Sequence, residues 1–235
     1  MNRPHTPDDQ LPTTLPERLR ADGCALLVID MQNDFCKPGG YVDQVMGKAV
    51  QAAEAVVAPV TQLIDAARAA GVPVIWVFAD YSHDRLPDSM RVKLLARSIT
   101  AECCKPGTWG ADWFGVAPVA GDASVVKHSY SGFADTTLGS VLAQFGVRTL
   151  VFAGVQTQIC VESTVRDAHS RGYFCVVPQD AVASHTPSLH AATLDNIRFL
   201  FGDVCRVADI TDVWAAGASS RSIPQRKAQS CSHPG

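Results

Sequence analysis

The sequence has few charged side chains and no marked excess of either sign. Charged residues make up 18% of its 235 residues and the formal net charge is −3, whereas hydrophobic residues make up 47%. A chain this weakly acidic gives no reason to expect nucleic acid or an anionic membrane surface as a partner. Its apolar content is typical of one α/β domain with a large buried core.

Long hydrophobic runs are also missing. No apolar run approaches the ~18 residues of a membrane span, and even residues 56–70 are interrupted by Gln62, Asp65 and Arg68. The first 20 residues, MNRPHTPDDQLPTTLPERLR, lack the apolar core of a signal peptide. We therefore predict a cytoplasmic protein without a membrane partner, in which residues 1–20 form a flexible arm.

The eight cysteines include no closely spaced Cys-x-x-Cys pair, which argues against a structural zinc site. Without a secretory signal we expect the thiols to be reduced. No phosphate-binding glycine loop is present, so a nucleotide is not expected. The sequence thus predicts a protein without a cofactor.

What the chain does contain is a repeated alternation of short apolar runs and segments with helical spacing. The pattern predicts strands at 24–29, 72–78, 124–127, 149–153, 173–177 and 204–207. It predicts helices at 49–70, 136–145, 160–171 and 188–201, each followed by a stop at Gly71, Gly146, Gly172 or Gly202, with Asp135 capping the second helix. Such alternation predicts a three-layer αβα, Rossmann-like fold around a six-stranded parallel sheet.

Two stretches fall outside this alternation. Residues 79–122 are too long for a simple connection in a compact domain, and they carry Trp109, Trp113 and Phe114. We interpret them as a lid or binding loop. Residues 217–235 are polar and serine-rich, which predicts a disordered tail after a domain at 21–216.

Three polar side chains lie where predicted strands end. Asp30 follows the first strand, Lys127 ends the third, and Cys160 follows the fourth within GVQTQIC. Carboxyl ends of parallel strands meet at one edge of a sheet, where ligands bind. A carboxylate, an ammonium and a thiol together could supply a base, a cation and a nucleophile. We also expect a helix start to lower the pKa of the Cys160 thiol, although a cysteine there could equally be a small buried residue.

Four segments carry a family resemblance: VIDMQNDF at 28–35, PGTWGADW at 106–113, VVKHSYSGFADTTL at 125–138 and VFAGVQTQICVESTVRDAHSRGY at 151–173. They resemble the isochorismatase-like cysteine hydrolase superfamily, over about residues 25–209. The resemblance implies a catalytic triad of Cys160, Asp30 and Lys127. It also implies a cis peptide at Val155–Gln156 and an oxyanion hole formed by the backbone N–H groups of Gln156 and Cys160.

The resemblance carries two further expectations about the reaction. Nicotinamidases of this superfamily hold a metal on an Asp-x-His motif after the second strand, but ADYSHDRLPD lacks that spacing because Asp80 and His83 are three apart. We therefore predict no metal. Members that act on isochorismate do so without a cysteine nucleophile, so Cys160 favours hydrolysis of a C–N bond. Homo-oligomers, dimers or tetramers, are common in the family and are expected here.

The substrate is predicted only as a class. GGYVD at 39–43 and YSGF at 130–133 resemble members that hydrolyse ureido compounds, which favours a small amide or ureido substrate of the biuret, ureidoacrylate or carbamoyl type, with release of ammonia. Two alternatives stay open: a vinyl ether hydrolase acting on isochorismate, and a binding protein of the same fold without catalysis. The predicted pocket residues, each of which could instead be ordinary packing or turn residues, are Phe35, Tyr41, Trp109, Trp113, Phe133 and Gln156.

Overall fold

A computed structural model describes residues 6–221. Its strands are β1 Cys24–Ile29, β2 Val74–Ala79, β3 Ala123–Lys127, β4 Thr149–Val155, β5 Phe174–Pro178, β6 Val182–Ala183 and β7 Asp203–Cys205. Its helices are α1 Leu15–Arg18, α2 Asn33–Cys36, α3 Tyr41–Gln44, α4 Gln51–Ala55, α5 Val57–Ala70, α6 Asp88–Leu95, α7 Leu138–Phe145, α8 Glu162–Ser170, α9 Pro187–Asn196 and α10 Val207–Arg221. Two π-helical turns, Thr157–Val161 and Ile197–Phe201, lead into α8 and continue α9.

All strands pair in parallel, in the order β3–β2–β1–β4–β5–β7, and the two-residue β6 pairs with the end of β4. The predicted six-stranded parallel sheet is confirmed, with β6 as an addition. The chain winds outward in one direction from β1 to β3 and in the other from β4 to β7. The switch point therefore lies between β1 and β4, where Ile29 is paired with Gly154.

The sheet is covered on both faces, which explains why β1 is apolar at every position. Leu26 and Val28 face a core cluster that includes residues of α5 and α10, whereas Leu27 and Ile29 face a second cluster that includes residues of α7 and α8. These two clusters are the two interfaces of an αβα sandwich. Across residues 6–221, none of the helices combines the length and the apolar character that a membrane span requires.

Several element boundaries differ from the predictions. The segment predicted as one helix at 49–70 is divided at Val56 into α4 and α5. Asp135 does not cap α7: it has a left-handed φ of 53°, and the Leu138 N–H donates instead to Thr136 Oγ1. The helical segment around Cys160 begins at Thr157, so Cys160 lies inside it and not at its start.

Helices extend beyond the predicted domain limits at both ends. Within the supposed flexible arm, α1 packs on the body, Leu19 is fully buried, and the Trp214 indole N–H donates to the Leu19 carbonyl. Arg18 forms an ion pair of 2.7 Å with Asp203. At the other end, α10 continues to Arg221, five residues beyond the predicted limit at 216. The remainder of the predicted tail lies outside the described residues.

Candidate active site

The three side chains of the predicted triad converge at the carboxyl edge of the sheet. Asp30, Lys127 and Cys160 are 1%, 0% and 4% exposed. The Lys127 ammonium lies 2.9 Å from Asp30 Oδ2 and donates to Cys160 Sγ at 3.4 Å. A buried charge is costly unless it is paired, so a carboxylate, an ammonium and a thiol in mutual contact form a cluster suited to proton transfer and nucleophilic attack.

The backbone around this cluster is tightly constrained. Asp30 has a left-handed φ of 52°, a conformation that aspartate tolerates better than most residues. Gly154 has φ 111°, and a Cβ there would lie 2.0 Å from the Ile29 carbonyl oxygen. Only glycine allows β1 and β4 to approach so closely at the switch point. The Val155–Gln156 peptide is cis, as the resemblance implied.

The ionisation of Cys160 differs from the expectation based on its sequence position. Burial, followed by the charge of Asp30, raises the pKa of the thiol to about 12, and the Lys127 charge only partly offsets this. The supposed helix start lies three residues earlier, at Thr157, and the thiol is enclosed by protein. Desolvation therefore dominates, and the thiol needs a base at the moment of attack.

Asp30 and Lys127 are suited to that task. Burial raises the pKa of the Asp30 carboxyl, although the Lys127 charge acts in the opposite direction. For Lys127, burial acts to lower the pKa, but the charges of Asp30 and Cys160 outweigh it and leave the pKa raised. The ammonium thus keeps its charge while the carboxylate gains proton affinity, which favours Asp30 as the proton acceptor.

Tyr81 joins this cluster, and the sequence analysis did not identify it. Its hydroxyl accepts a hydrogen bond from Lys127 Nζ at 2.6 Å and donates to the Ser129 carbonyl at 3.0 Å. The hydroxyl also lies 3.7 Å from Cys160 Sγ. The signal that revealed Asp30 was available here too, because Tyr81 lies two residues beyond the end of β2.

Gln156 lies between β4 and the π-helical turn that carries Cys160. Its side-chain Nε2 donates to the Phe35 carbonyl at 3.3 Å, and its Oε1 accepts the His185 N–H at 2.9 Å. Both the nitrogen and the oxygen of the Gln156 side-chain amide thus form hydrogen bonds with backbone groups. The oxyanion hole formed by the backbone N–H groups of Gln156 and Cys160 stays a prediction.

A cavity of about 160 Å³ opens onto the thiol. Of the predicted pocket residues, Phe35, Tyr41 and Gln156 line it. The segment 79–122 also contributes, through α6 and the residues on either side of it. Its lining residues are Tyr81, Leu86, Met90, Lys93, Leu94, Arg97, Ile99, Ala101 and Cys103. His185 lines the cavity as well.

Trp109, Trp113 and Phe133, the other predicted pocket residues, are not among the residues that line this cavity. Trp109 is 47% exposed, with the Lys37 ammonium 5.7 Å from its ring centre. Trp113 packs edge-on against Trp76 and Phe78, at centroid distances of 5.1 and 5.4 Å.

Phe133 is buried in the core on the α7 and α8 side of the sheet, where it stacks on Tyr173. For both Phe133 and Trp113, the ordinary packing alternative is the one observed.

Asp80 and His83 are engaged in local contacts. The Asp80 carboxylate accepts hydrogen bonds from the N–H and the hydroxyl of Ser82, and the His83 N–H donates to Glu102. The two residues do not belong to any cluster of three metal-ligand side chains within the described chain.

One such cluster does occur among the described residues, formed by Asp34, Cys103 and Cys104, whose ligand atoms lie within 4.8 Å of one another. Its carboxylate already accepts the backbone N–H groups of Tyr41 and Cys104. Burial raises the pKa of the Cys104 thiol, which disfavours the thiolate that a metal needs. We attribute this cluster to loop structure.

Comparison with known proteins places the chain in a family. The model of the isochorismatase domain matches residues 24–209. Ureidoacrylate amidohydrolase RutB of Methylobacterium radiotolerans is 38% identical over 223 residues, which cover 88% of this chain and 85% of that protein. RutB of Agrobacterium fabrum is 34% identical over 224 residues, which cover 87% and 98%.

Solved structures agree with this placement. A cysteine hydrolase from Pseudomonas syringae pv. phaseolicola superposes with a TM-score of 0.73 at 27% identity, covering 88% of this chain and 97% of that one. N-carbamoylsarcosine amidase from Thermoplasma acidophilum superposes with a TM-score of 0.64 at 30% identity, covering 79% and 96%. The resemblance seen in the four sequence motifs is confirmed, and the chain belongs to the isochorismatase domain family.

Proposed function

We propose that this protein hydrolyses a C–N bond of a small ureido or carbamoyl compound, with Cys160 as the nucleophile. Family membership and the named relatives support an amidohydrolase acting on C–N bonds other than peptide bonds. The observation that carries the proposal is the buried contact of Asp30, Lys127 and Cys160, because Cys160 also lines a cavity.

The proposed reaction follows from the ionisation of these groups. Asp30 accepts the thiol proton as Cys160 Sγ attacks the carbonyl carbon, and Lys127 balances the negative charge. The tetrahedral oxyanion is held by the backbone N–H groups of Gln156 and Cys160. When the C–N bond breaks, Asp30 returns the proton to the leaving nitrogen, and water then hydrolyses the thioester. For a ureido group this route ends in release of ammonia.

The residues that line the cavity also favour a negatively charged substrate. Lys93 and Arg97 line it, and neither forms an ion pair within residues 6–221. Arg97 lines the same cavity as Tyr41 and Tyr130. Burial raises the pKa of both tyrosines, and the Arg97 charge acts in the opposite direction. The names ureidoacrylate and N-carbamoylsarcosine both denote carboxylates. We infer that Arg97 and Lys93 attract the carboxylate of a ureido acid.

A screen of ammonia release with matched substrates tests this function. Ureido and N-carbamoyl acids are compared with their neutral primary amides and with biuret, on the parent protein and on Cys160→Ser. We expect turnover of the acids, none with Cys160→Ser, and a KM raised about tenfold by Arg97→Ala for acids only, the range of one charged contact. Lack of turnover on every compound refutes the proposal.

The two alternatives give different results in the same experiment. A vinyl ether hydrolase would release pyruvate from isochorismate and keep that activity in Cys160→Ala, because no thiol is needed. A binding protein would bind the ureido acids in calorimetry and release no ammonia. Homo-oligomeric assembly and a cytoplasmic location stay predictions.

A further inference from the structure

The Lys127 ammonium has more acceptors around it than it can satisfy. Four acceptor atoms lie within 3.4 Å of Nζ: Asp30 Oδ2 at 2.9 Å, Tyr81 Oη at 2.6 Å, the Ser129 carbonyl at 3.2 Å and Cys160 Sγ at 3.4 Å. An ammonium has only three N–H donors. Three of the four contacts are hydrogen bonds, to Tyr81, Ser129 and Cys160, whereas the Asp30 carboxylate is held as an ion pair and its oxygens accept no hydrogen bond from the described residues. The three donors of the ammonium are therefore all in use, the longest contact is the one to sulfur, and a second hydrogen bond to the sulfur needs another donor.

Tyr81 is placed to be that other donor. Because its oxygen accepts from Lys127, its own proton must go elsewhere, and two acceptors are within reach: the Ser129 carbonyl at 3.0 Å and Cys160 Sγ at 3.7 Å. Burial and the nearby negative charges raise the pKa of Tyr81 well above its ordinary value, so the hydroxyl keeps its proton. A hydroxyl polarised by an ammonium is also a stronger donor.

The position of this hydroxyl is fixed by the structure around it. The Tyr81 N–H donates to the Cys103 carbonyl at 3.0 Å, which ties this residue to the far end of the segment that carries α6. Its ring packs edge-on against Phe35 and Tyr130. A short rotation of the O–H bond is enough to exchange one acceptor for the other, and no movement of the ring is required.

We propose that Tyr81 is a further catalytic residue, whose hydroxyl donates to the Ser129 carbonyl while Cys160 is a thiol and turns to the sulfur as the thiolate forms. This proposal rests on the proposed function of Cys160. Tyr81 keeps its proton throughout, and Asp30 remains the base. The hydroxyl stabilises the sulfur anion twice, when the thiol is deprotonated and when water displaces the thiolate from the thioester.

The test measures the thiol without any substrate. The rate of alkylation by iodoacetamide is followed against pH, with the adduct mapped to Cys160 by mass spectrometry, in the parent protein, in Tyr81→Phe and in Tyr130→Phe. A hydrogen bond to a charged atom is worth about one pKa unit or more, so Tyr81→Phe should alkylate about tenfold more slowly at a given pH below the thiol pKa. Tyr130→Phe, the matched control in the same cavity, should not change this rate.

Each outcome decides the proposal. An unchanged alkylation rate in folded Tyr81→Phe overturns it, as does an equal loss of rate in Tyr130→Phe. Should Tyr81→Phe fail to fold, Tyr81→Met is measured in its place and must show the same slowing. Slower alkylation without turnover of any ureido compound supports Tyr81 and refutes the proposed function. Turnover with an unchanged alkylation rate in Tyr81→Phe refutes the catalytic role of Tyr81 and leaves the proposed function in place.

Discussion

Strand β2 and the residues just after it contribute to two regions, of which one is held by buried polar contacts and the other by aromatic packing. At the carboxyl edge of the sheet, Tyr81 joins Lys127 and Cys160 in a buried polar cluster. A few residues earlier, Trp76 and Phe78 pack against Trp113 through ring edges. Buried polar contacts are expensive and contribute little net stability, whereas aromatic packing contributes much. We therefore expect substitutions at the edge to change the rate, and substitutions in the aromatic group to change the free energy of unfolding.

The largest expected effect is at Cys160. Cys160→Ser should lower kcat by about 10⁴-fold or more, because residues that act as one catalytic unit lose most of their rate enhancement when any one of them is replaced. The melting temperature should stay nearly constant. Ammonia release and thermal unfolding measure the two quantities on one preparation. The double variant with Asp30→Asn should be little worse than the more damaging single variant. Near-normal turnover in Cys160→Ser would show that another residue is the nucleophile.

Lys127 lies at the sheet edge, but its substitution should change both the rate and the free energy of unfolding. Lys127→Ala leaves the Asp30 carboxylate buried without a partner, so it should lower the free energy of unfolding by about 3 kcal/mol as well as abolish turnover. Lys127→Arg should not restore activity, since a planar guanidinium differs from an ammonium in shape and reach. Denaturant unfolding and kcat are the measurements. Full activity in Lys127→Arg would show that only a positive charge is needed.

Trp113 tests the opposite side of the comparison. Trp113→Ala removes a ring that packs against Trp76 and Phe78, and should lower the free energy of unfolding by about 3 kcal/mol with kcat and KM unchanged. Trp109→Ala is the matched control, because that ring is 47% exposed, and its effect on stability should stay below about 1 kcal/mol. A raised KM in Trp113→Ala, beyond its effect on stability, would restore the idea that this ring closes the cavity.

The smallest effect concerns pH. Asp30 must be ionised to accept the thiol proton, so activity is lost as the pH falls through its pKa. Because burial raises that pKa, the acid limb of kcat/KM should lie above the ordinary range of an aspartate. Initial rates across acidic buffers, checked for folding by circular dichroism, measure it. An acid limb in the ordinary range would contradict the burial of Asp30 in the working enzyme.

The parallel sheet, and the convergence of Asp30, Lys127 and Cys160 at one edge of it, could be predicted from sequence because both follow from local patterns. CALLVI is apolar at every position, and only a strand covered on both faces needs that. Once such strands are recognised, Asp30, Lys127 and Cys160 must lie at one edge, since parallel strands all end on the same side. The resemblance to the family implied the roles that we propose for them, and the cis peptide followed from the same resemblance.

Which aromatic rings line the cavity was decided by the tertiary structure alone. A sequence pattern shows that Trp113 and Tyr81 are both in the long connection after β2, but not that one ring packs on Trp76 while the other reaches Lys127. The same limit explains the wrong expectation for the Cys160 thiol. Its chain position predicts a lowered pKa, whereas burial, a property of the whole assembled core, raises it. The direction in which a side chain points and its exposure to solvent depend on residues that are distant in sequence. Only the folded chain brings those residues together.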